Sequence, residues 1–257
     1  MKFAILGPVC VSRDGSEVPI PGAMQRTLLA CLLLTHGRTV PDGRLAGLLW
    51  GWQAPRTVSA QLYTYVSRLR SRLGTAVRFD RLNHGYRLRI VDGSLDVDDF
   101  TRLSAAGHAE LRAGHPETGA RALRAALSLW RGPGLDGVTR YLRDAELPQL
   151  DEARMAALES RIDAELALGE HQRLVPELTG LVTRYPLRER LRAQWMTALY
   201  RCERRADALA AYRAGRELLT SEIGVEPGPL LSATHRAVLD GTLRWPRESA
   251  GPPFPVR

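Results

Sequence analysis

The residues best suited to recognising another molecule lie between Thr57 and Leu73, in the run TVSAQLYTYVSRLRSRL. On a helical wheel of about 100° per residue, Val58, Leu62, Val66, Leu69 and Leu73 fall within about 40° of Leu62 and form one apolar stripe. The opposite face carries Thr57, Ala60, Thr64, Ser67 and Ser71, all small, with Gln61 and Arg68 on one shoulder and Tyr63 and Arg70 on the other. Small residues at a helix crown let the backbone sink into a DNA major groove about 12 Å wide, and long polar residues at the shoulders then reach base edges. Arg68 suits a bidentate contact to guanine, and Gln61 and Thr64 suit other base edges, with Thr57 and Ser67 on the same surface. Arg70, Arg72 and Tyr65 suit phosphates, which position a reader without reading sequence. A second basic feature follows at Arg81-Leu82-Asn83-His84-Gly85, a predicted hairpin tip. Its Arg81, Asn83 and His84 suit the minor groove or the DNA backbone, although Asn83-His84-Gly85 also serves simply as a turn.

Elements that would position these residues are legible nearby. Phe3, Ile5, Val9 and Val11 alternate as short strands, broken at Gly7-Pro8, with a turn at Arg13-Asp14-Gly15. Met24, Leu28, Leu29, Leu32 and Leu33 recur at helical steps up to Gly37. Pro41-Asp42 opens a short helix with Leu45, Leu48 and Leu49 on its apolar face. Thr57 is the expected cap of the third helix and Gly74 its stop. Strands are predicted at Val77–Asp80 and Tyr86–Ile90. This order, strands, three helices and a basic hairpin, is that of a winged helix-turn-helix, and it argues against reading the third helix as an ordinary solvated surface.

Charge points the same way. The chain of 257 residues has a formal net charge of +8. Residues 1–95 hold 13 Lys+Arg against 5 Asp+Glu, so the whole excess lies in the first third, as expected of a part that attracts a polyanion.

From Val97 to about Leu243 the periodicity is helical, with about seven helices broken at Gly114-His115-Pro116, Arg131–Gly134, Gly169, Tyr185-Pro186, Glu203-Arg204 and Gly224–Pro229. Trp195, Leu199, Ala208 and Tyr212 approximate the spacing of a tetratricopeptide (TPR) helix pair. The predicted fold class is therefore mainly α with small β elements: an N-terminal winged helix-turn-helix, then an all-α TPR-like domain. The expected domains are 1–91 for the reader, 96–243 for the helical domain, and a disordered Pro-rich tail at 244–257.

Other chemistry finds little support. His36, His84, His108, His115, His171 and His235 are scattered, and none sits in an HExxH or beside a GxSxG elbow. Asp98-Asp99 pairs two carboxylates where a helix start explains them. Cys10, Cys31 and Cys202 have neither disulfide nor zinc spacing and read as reduced structural thiols. No catalytic residue, metal site or cofactor is expected. No apolar run reaches membrane-spanning length, and the N-terminus reads as a strand rather than a signal peptide, so a cytoplasmic protein is expected.

The motifs TVSAQLYTYVSRLRSRLG and HGYRLRI resemble the OmpR-type winged helix, the effector domain of two-component regulators. ALSLWRGPGLDGV and YPLRERLRAQWMTALYRCERRADALAAYRAGRELLTSEIGVEPGPLL resemble the bacterial transcriptional activator domain. Together, over about residues 1–242, they are similar to the Streptomyces antibiotic regulatory protein family in its short two-domain form. The resemblance implies a transcription activator that switches on a secondary-metabolite (antibiotic) gene cluster. It implies tandem protomers self-associating on promoter direct repeats near the −35 element, and recruitment of RNA polymerase holoenzyme through sigma factor and other subunits. It places base contact on Arg68 and backbone contact on Arg70 and Tyr65. It makes the loop at 50–56, with Trp52, Gln53 and Arg56, a candidate polymerase contact. Asn83-His84 departs from the family's wing pattern, and Cys202-Glu203 from a small residue and Gly. Lys2 is the only lysine, so no GxxxxGK[ST] phosphate loop occurs.

Two further readings stay open on residues alone. A winged helix does not give the sign of regulation, so a DNA-binding repressor fits it as well. A TPR-like adaptor with a basic nucleic-acid-binding module would favour RNA, but base-stacking aromatics on the third helix are limited to Tyr63 and Tyr65.

Overall fold

The computed structural model describes residues 1–243; the Pro-rich segment 244–257, predicted to be disordered, lies outside the described residues. The elements run β1 (Lys2–Ala4), β2 (Cys10–Arg13), β3 (Ser16–Val18), α1 (Ala23–Leu34), β4 (Thr39–Pro41), α2 (Asp42–Trp50), α3 (Val58–Leu73), β5 (Val77–Leu82), β6 (Gly85–Ile90) and β7 (Ser94–Leu95). Helices α4 (Asp96–Arg112), α5 (Pro116–Leu127), α6 (Arg140–Ala167), α7 (His171–Arg184), α8 (Glu189–Arg201), α9 (Arg205–Glu222) and α10 (Pro229–Asp240) follow. The predicted class holds: mainly α, with a winged helix-turn-helix leading into an all-helical TPR-like part. Sequence periodicity missed β4 and β7, because strands of three and two residues are too short to show alternation.

The described residues form two compact units, one of residues 1–105 with 124–156, the other of 106–123 with 157–243. In the first unit β3-β2-β1-β7 form one sheet, with β7 parallel to β1, and β4-β6-β5 form a second, antiparallel sheet. One continuous core joins Phe3, Ile5 and Val11 of the first sheet, Leu28, Leu29, Leu32 and Leu33 of α1, Leu45 and Leu49 of α2, and Phe79 and Leu88 of the second sheet. Leu135 and Leu142, from beyond the hairpin, are fully buried in the same core. Asp96, the first residue of α4, faces the turn after β1. Its carboxylate accepts from the Ile5 and Leu6 backbone N–H groups, all at 2.9 Å, and from Arg131 at 3.2 Å. Burial pushes the Asp96 carboxyl above its ordinary pKa, and the two amides and Arg131 oppose the shift.

In the second unit Met196 and Leu199 of α8 pack with Ala208, Ala211 and Leu219 of α9 and with Leu231 and Val238 of α10. Trp195 and Tyr212, half of the expected TPR signature, lie against that core, and Leu199 and Ala208 are inside it. Arg192 is buried between helices, where it donates to the carbonyls of Ala211 and Pro186. Gly215 makes the room, since a Cβ there would overlap the Arg192 side chain. No helix among the described residues is long and apolar enough to cross a membrane.

Candidate nucleic-acid interface

Helix α3 presents the two faces its sequence predicts. Leu62, Val66, Leu69 and Leu73 have no exposed surface, and Val58 is partly buried against the same core. Ala60, Tyr63, Thr64, Ser67, Arg68 and Ser71 are all exposed. The helix begins after Thr57, but the expected side-chain cap is missing: no N-cap hydrogen bond forms from Thr57. Its hydroxyl instead accepts from the Gln61 amide at 3.3 Å. Gly74, at φ 60°, ends the helix with its N–H on the Arg70 carbonyl, as expected.

The structure sorts the basic residues into held and free ones. Arg68 makes no hydrogen bond or ion pair among the described residues, and nor do the side chains of Arg56, Arg38 and Lys2. Arg70, although exposed, donates to the Phe79 carbonyl at 2.7 Å, and Arg72 donates to the Pro19 carbonyl at 3.1 Å. Thr64 returns its hydroxyl to the Ala60 carbonyl one turn back. Tyr65 is half-buried and stacks on Trp50, with ring centroids 6.3 Å apart. The wheel places Tyr65 closer to the apolar stripe than to the crown, which is why packing claims its ring.

The hairpin behaves differently from its sequence. Asn83, at φ 45°, and His84 form the two-residue tip between Leu82 and Gly85, both exposed as expected. Arg81 does not extend from the tip. Its guanidinium grips both oxygens of Asp42 at 2.6 and 2.7 Å and lies 4.5 Å from the centre of the Tyr86 ring. The Asp42 hydrogen bond raises the Arg81 pKa further, against the small opposing effect of burial. The Asp42 N–H also donates to the His84 carbonyl at 2.7 Å, so the start of α2 holds both sides of the hairpin tip. Gly85 allows the close approach, because a Cβ there would lie 2.6 Å from the Val40 carbonyl oxygen of β4. Asp80 takes a second set of cations, accepting from Arg78, Arg87 and Arg89. Burial works against its charge, but the three arginines outweigh it and hold the Asp80 carboxyl below the usual carboxylate range.

Between α2 and α3 runs the loop that carries Trp52, Gln53 and Arg56. Trp50 is partly buried against the core, whereas Trp52 is fully exposed, with Gln53 and Arg56 exposed beside it. An isolated indole fully in water is unusual for a residue that normally buries most of its surface. Burial pushes the Cys31 thiol up to about 12 and also raises that of Cys202. No cluster of three metal-ligating side chains occurs among the described residues.

Comparison with known proteins places this geometry. Residues 95–239 match the family model described as bacterial transcriptional activator domain. The chain is 40% identical, over 93% of its length, to the regulatory protein AfsR of Streptomyces coelicolor, covering 24% of that longer protein. It is 34% identical to the regulatory protein DnrI of Streptomyces peucetius, over 93% of this chain and 92% of that one. The structure of Mycobacterium tuberculosis EmbR in complex with a low-affinity phosphopeptide superposes with a TM-score of 0.88 at 34% identity, covering 93% of this chain and 65% of EmbR. The chain thus spans nearly all of DnrI but only about a quarter of AfsR. With a winged helix ahead of a matching helical domain, and relatives that are transcriptional regulators, the chain belongs to the bacterial transcriptional activator domain family, among the Streptomyces antibiotic regulatory proteins.

Proposed function

We propose that this regulator activates transcription by binding promoter DNA in a sequence-specific way through α3 and presenting the Trp52 loop to RNA polymerase. The carrying observation is the outer face of α3: small exposed residues and, among them, Arg68, which has no partner among the described residues. In this reading Arg68, Gln61 and Thr64 address base edges, and Thr57 and Ser67 let the helix sit deep. Arg70 and Arg72 offer phosphates their remaining N–H groups, and Tyr65 braces the helix from its half-buried side. Asn83 and His84 meet the adjacent groove, while Arg81 reaches DNA only by leaving Asp42. Protomers sit in tandem on direct repeats near the −35 element. Trp52, Gln53 and Arg56 contact the holoenzyme, sigma factor included, and the regulated genes form a secondary-metabolite cluster. The protein works in the cytoplasm. Family membership supports activation over repression.

Selection of bound duplexes from a random pool by the full chain tests this. The expected output is one enriched half-site repeated in direct orientation, whose binding weakens with salt at a slope of about −0.9 per phosphate neutralised. A pool that stays random, or an affinity indifferent to salt, overturns the reading. In vitro transcription from a promoter carrying the selected repeat then reads the sign of regulation.

A further inference from the structure

The α2–α3 loop is gripped at its stem by residues that lie far along the chain, before and in the first turn of α6. The Thr139 hydroxyl donates to the Leu48 carbonyl at the end of α2, at 2.6 Å. The Thr139 N–H donates to the Thr27 hydroxyl of α1 at 2.8 Å, and Arg26 donates to the Gly137 carbonyl at 2.8 Å. Gly51, the first loop residue, stands at φ 61°, and the Tyr141 ring lies directly on it: a Cβ would overlap the ring and come within 2.9 Å of the Tyr141 oxygen. Arg140 holds that ring in place, donating to the Tyr141 oxygen at 3.1 Å with its guanidinium 4.8 Å from the ring centre. On the other side of the stem, Trp50 is stacked on Tyr65 of α3. Three sets of contacts thus hold the stem, and beyond it Trp52 is fully exposed.

We infer that Thr139 and Tyr141 are positioning residues for the Trp52 loop, by which the activator segment sets the direction of the loop without touching the DNA-reading face of α3. Within the loop, Pro55 fixes the backbone only near the far end, just before α3. The loop start is instead a glycine in a left-handed conformation, a position with little intrinsic preference, and the restraint comes from a ring supplied about ninety residues later in the sequence. Helix α6, whose first turn carries Tyr141, contributes residues to both compact units. The functional consequence rests on the proposed polymerase contact of that loop; the positioning itself does not.

The experiment uses the full chain labelled with 5-fluorotryptophan, with the Trp52 signal assigned through Trp52→Phe. Three readouts are taken on each variant: the Trp52 fluorine signal, affinity for the selected duplex, and in vitro transcription. For Tyr141→Ala the Trp52 signal is expected to shift or broaden. DNA affinity should change by less than about twofold, as for sites that share no partners. Transcription should fall about fivefold or more, the lower end of an ordinary coupling between sites. Tyr141→Phe keeps the ring and should restore both signal and transcription. Thr139→Val removes a second hold on the stem, and Gly51→Ala disturbs the Tyr141 contact from the loop's own side; both are expected to repeat the pattern, so the test survives if Tyr141→Ala fails to fold. An unmoved Trp52 signal across these variants overturns the inference, whatever transcription does. A moved signal with unchanged transcription leaves the positioning standing and overturns the polymerase contact.

Discussion

Helix α3 and the β5–β6 hairpin are both rich in arginine, and both were expected to face DNA, yet the structure uses their charges in opposite ways. The hairpin's Arg78, Arg81, Arg87 and Arg89 all pair with Asp42 or Asp80. On α3, Arg68 has no partner among the described residues, and Arg70 and Arg72 lean on carbonyls, which leave their positive charge unneutralised. A count of cations measures attraction at a distance; the partners of each cation decide which of them is ready to bind. Exposed ion pairs are worth only about 0–1 kcal/mol, so the hairpin arginines are restrained rather than locked, and a phosphate can compete for them at a cost. Arg68 needs no such exchange.

Truncation tests whether the availability of α3 belongs to the first 95 residues alone. A fragment of residues 1–95 loses Leu135 and Leu142 from the core and Asp96 from the turn after β1. At about 2 kcal/mol for each fully buried leucine, it should be less stable than a fragment of residues 1–156 by at least about 4 kcal/mol. Urea unfolding of the two fragments measures this, and equal midpoints would show that the reader stands by itself.

Next in size is the free arginine. Arg68→Ala should cost about 1–3 kcal/mol on the selected duplex and flatten base preference at one position. Arg70→Ala should weaken selected and random duplexes alike. Equal losses on both duplexes for both variants would erase the distinction between reading and gripping.

For the hairpin, Arg81→Ala should change affinity by less than about 1 kcal/mol, because the pair with Asp42 must be given up before Arg81 helps. A loss as large as that of Arg68→Ala would show that Arg81 swings onto the DNA in the complex.

The smallest expected effect is one of pH. Because its arginines hold the Asp80 carboxyl low, their stabilisation is complete above the ordinary carboxylate pKa of about 4 and disappears as pH falls through the lowered folded value. Asp80→Asn should therefore melt below the wild type by a constant margin from about pH 7 to about pH 5, and the margin should close only in more acid solution. A margin that closed already near pH 6 would place the controlling titration elsewhere.

The sequence alone determined the faces of α3, because 3.6-residue periodicity is local and the apolar stripe has only one way to be buried. Val58, Leu62, Val66, Leu69 and Leu73 could be assigned without any partner, and the small crown follows by exclusion. It also determined the order of the longer elements, though not the short β4 and β7, and the confinement of charge to the first third. Only the tertiary structure decided which polar groups were spent. Asp42 lies 39 residues before Arg81, Thr139 lies 91 residues beyond Leu48, and Asp96 reaches back 91 residues to Ile5. Such pairings leave no periodic trace, since they depend on where the chain returns. For the same reason Tyr65 and Arg81 could be named as candidates from their types and spacing, whereas their own intramolecular partners emerged only from the packing.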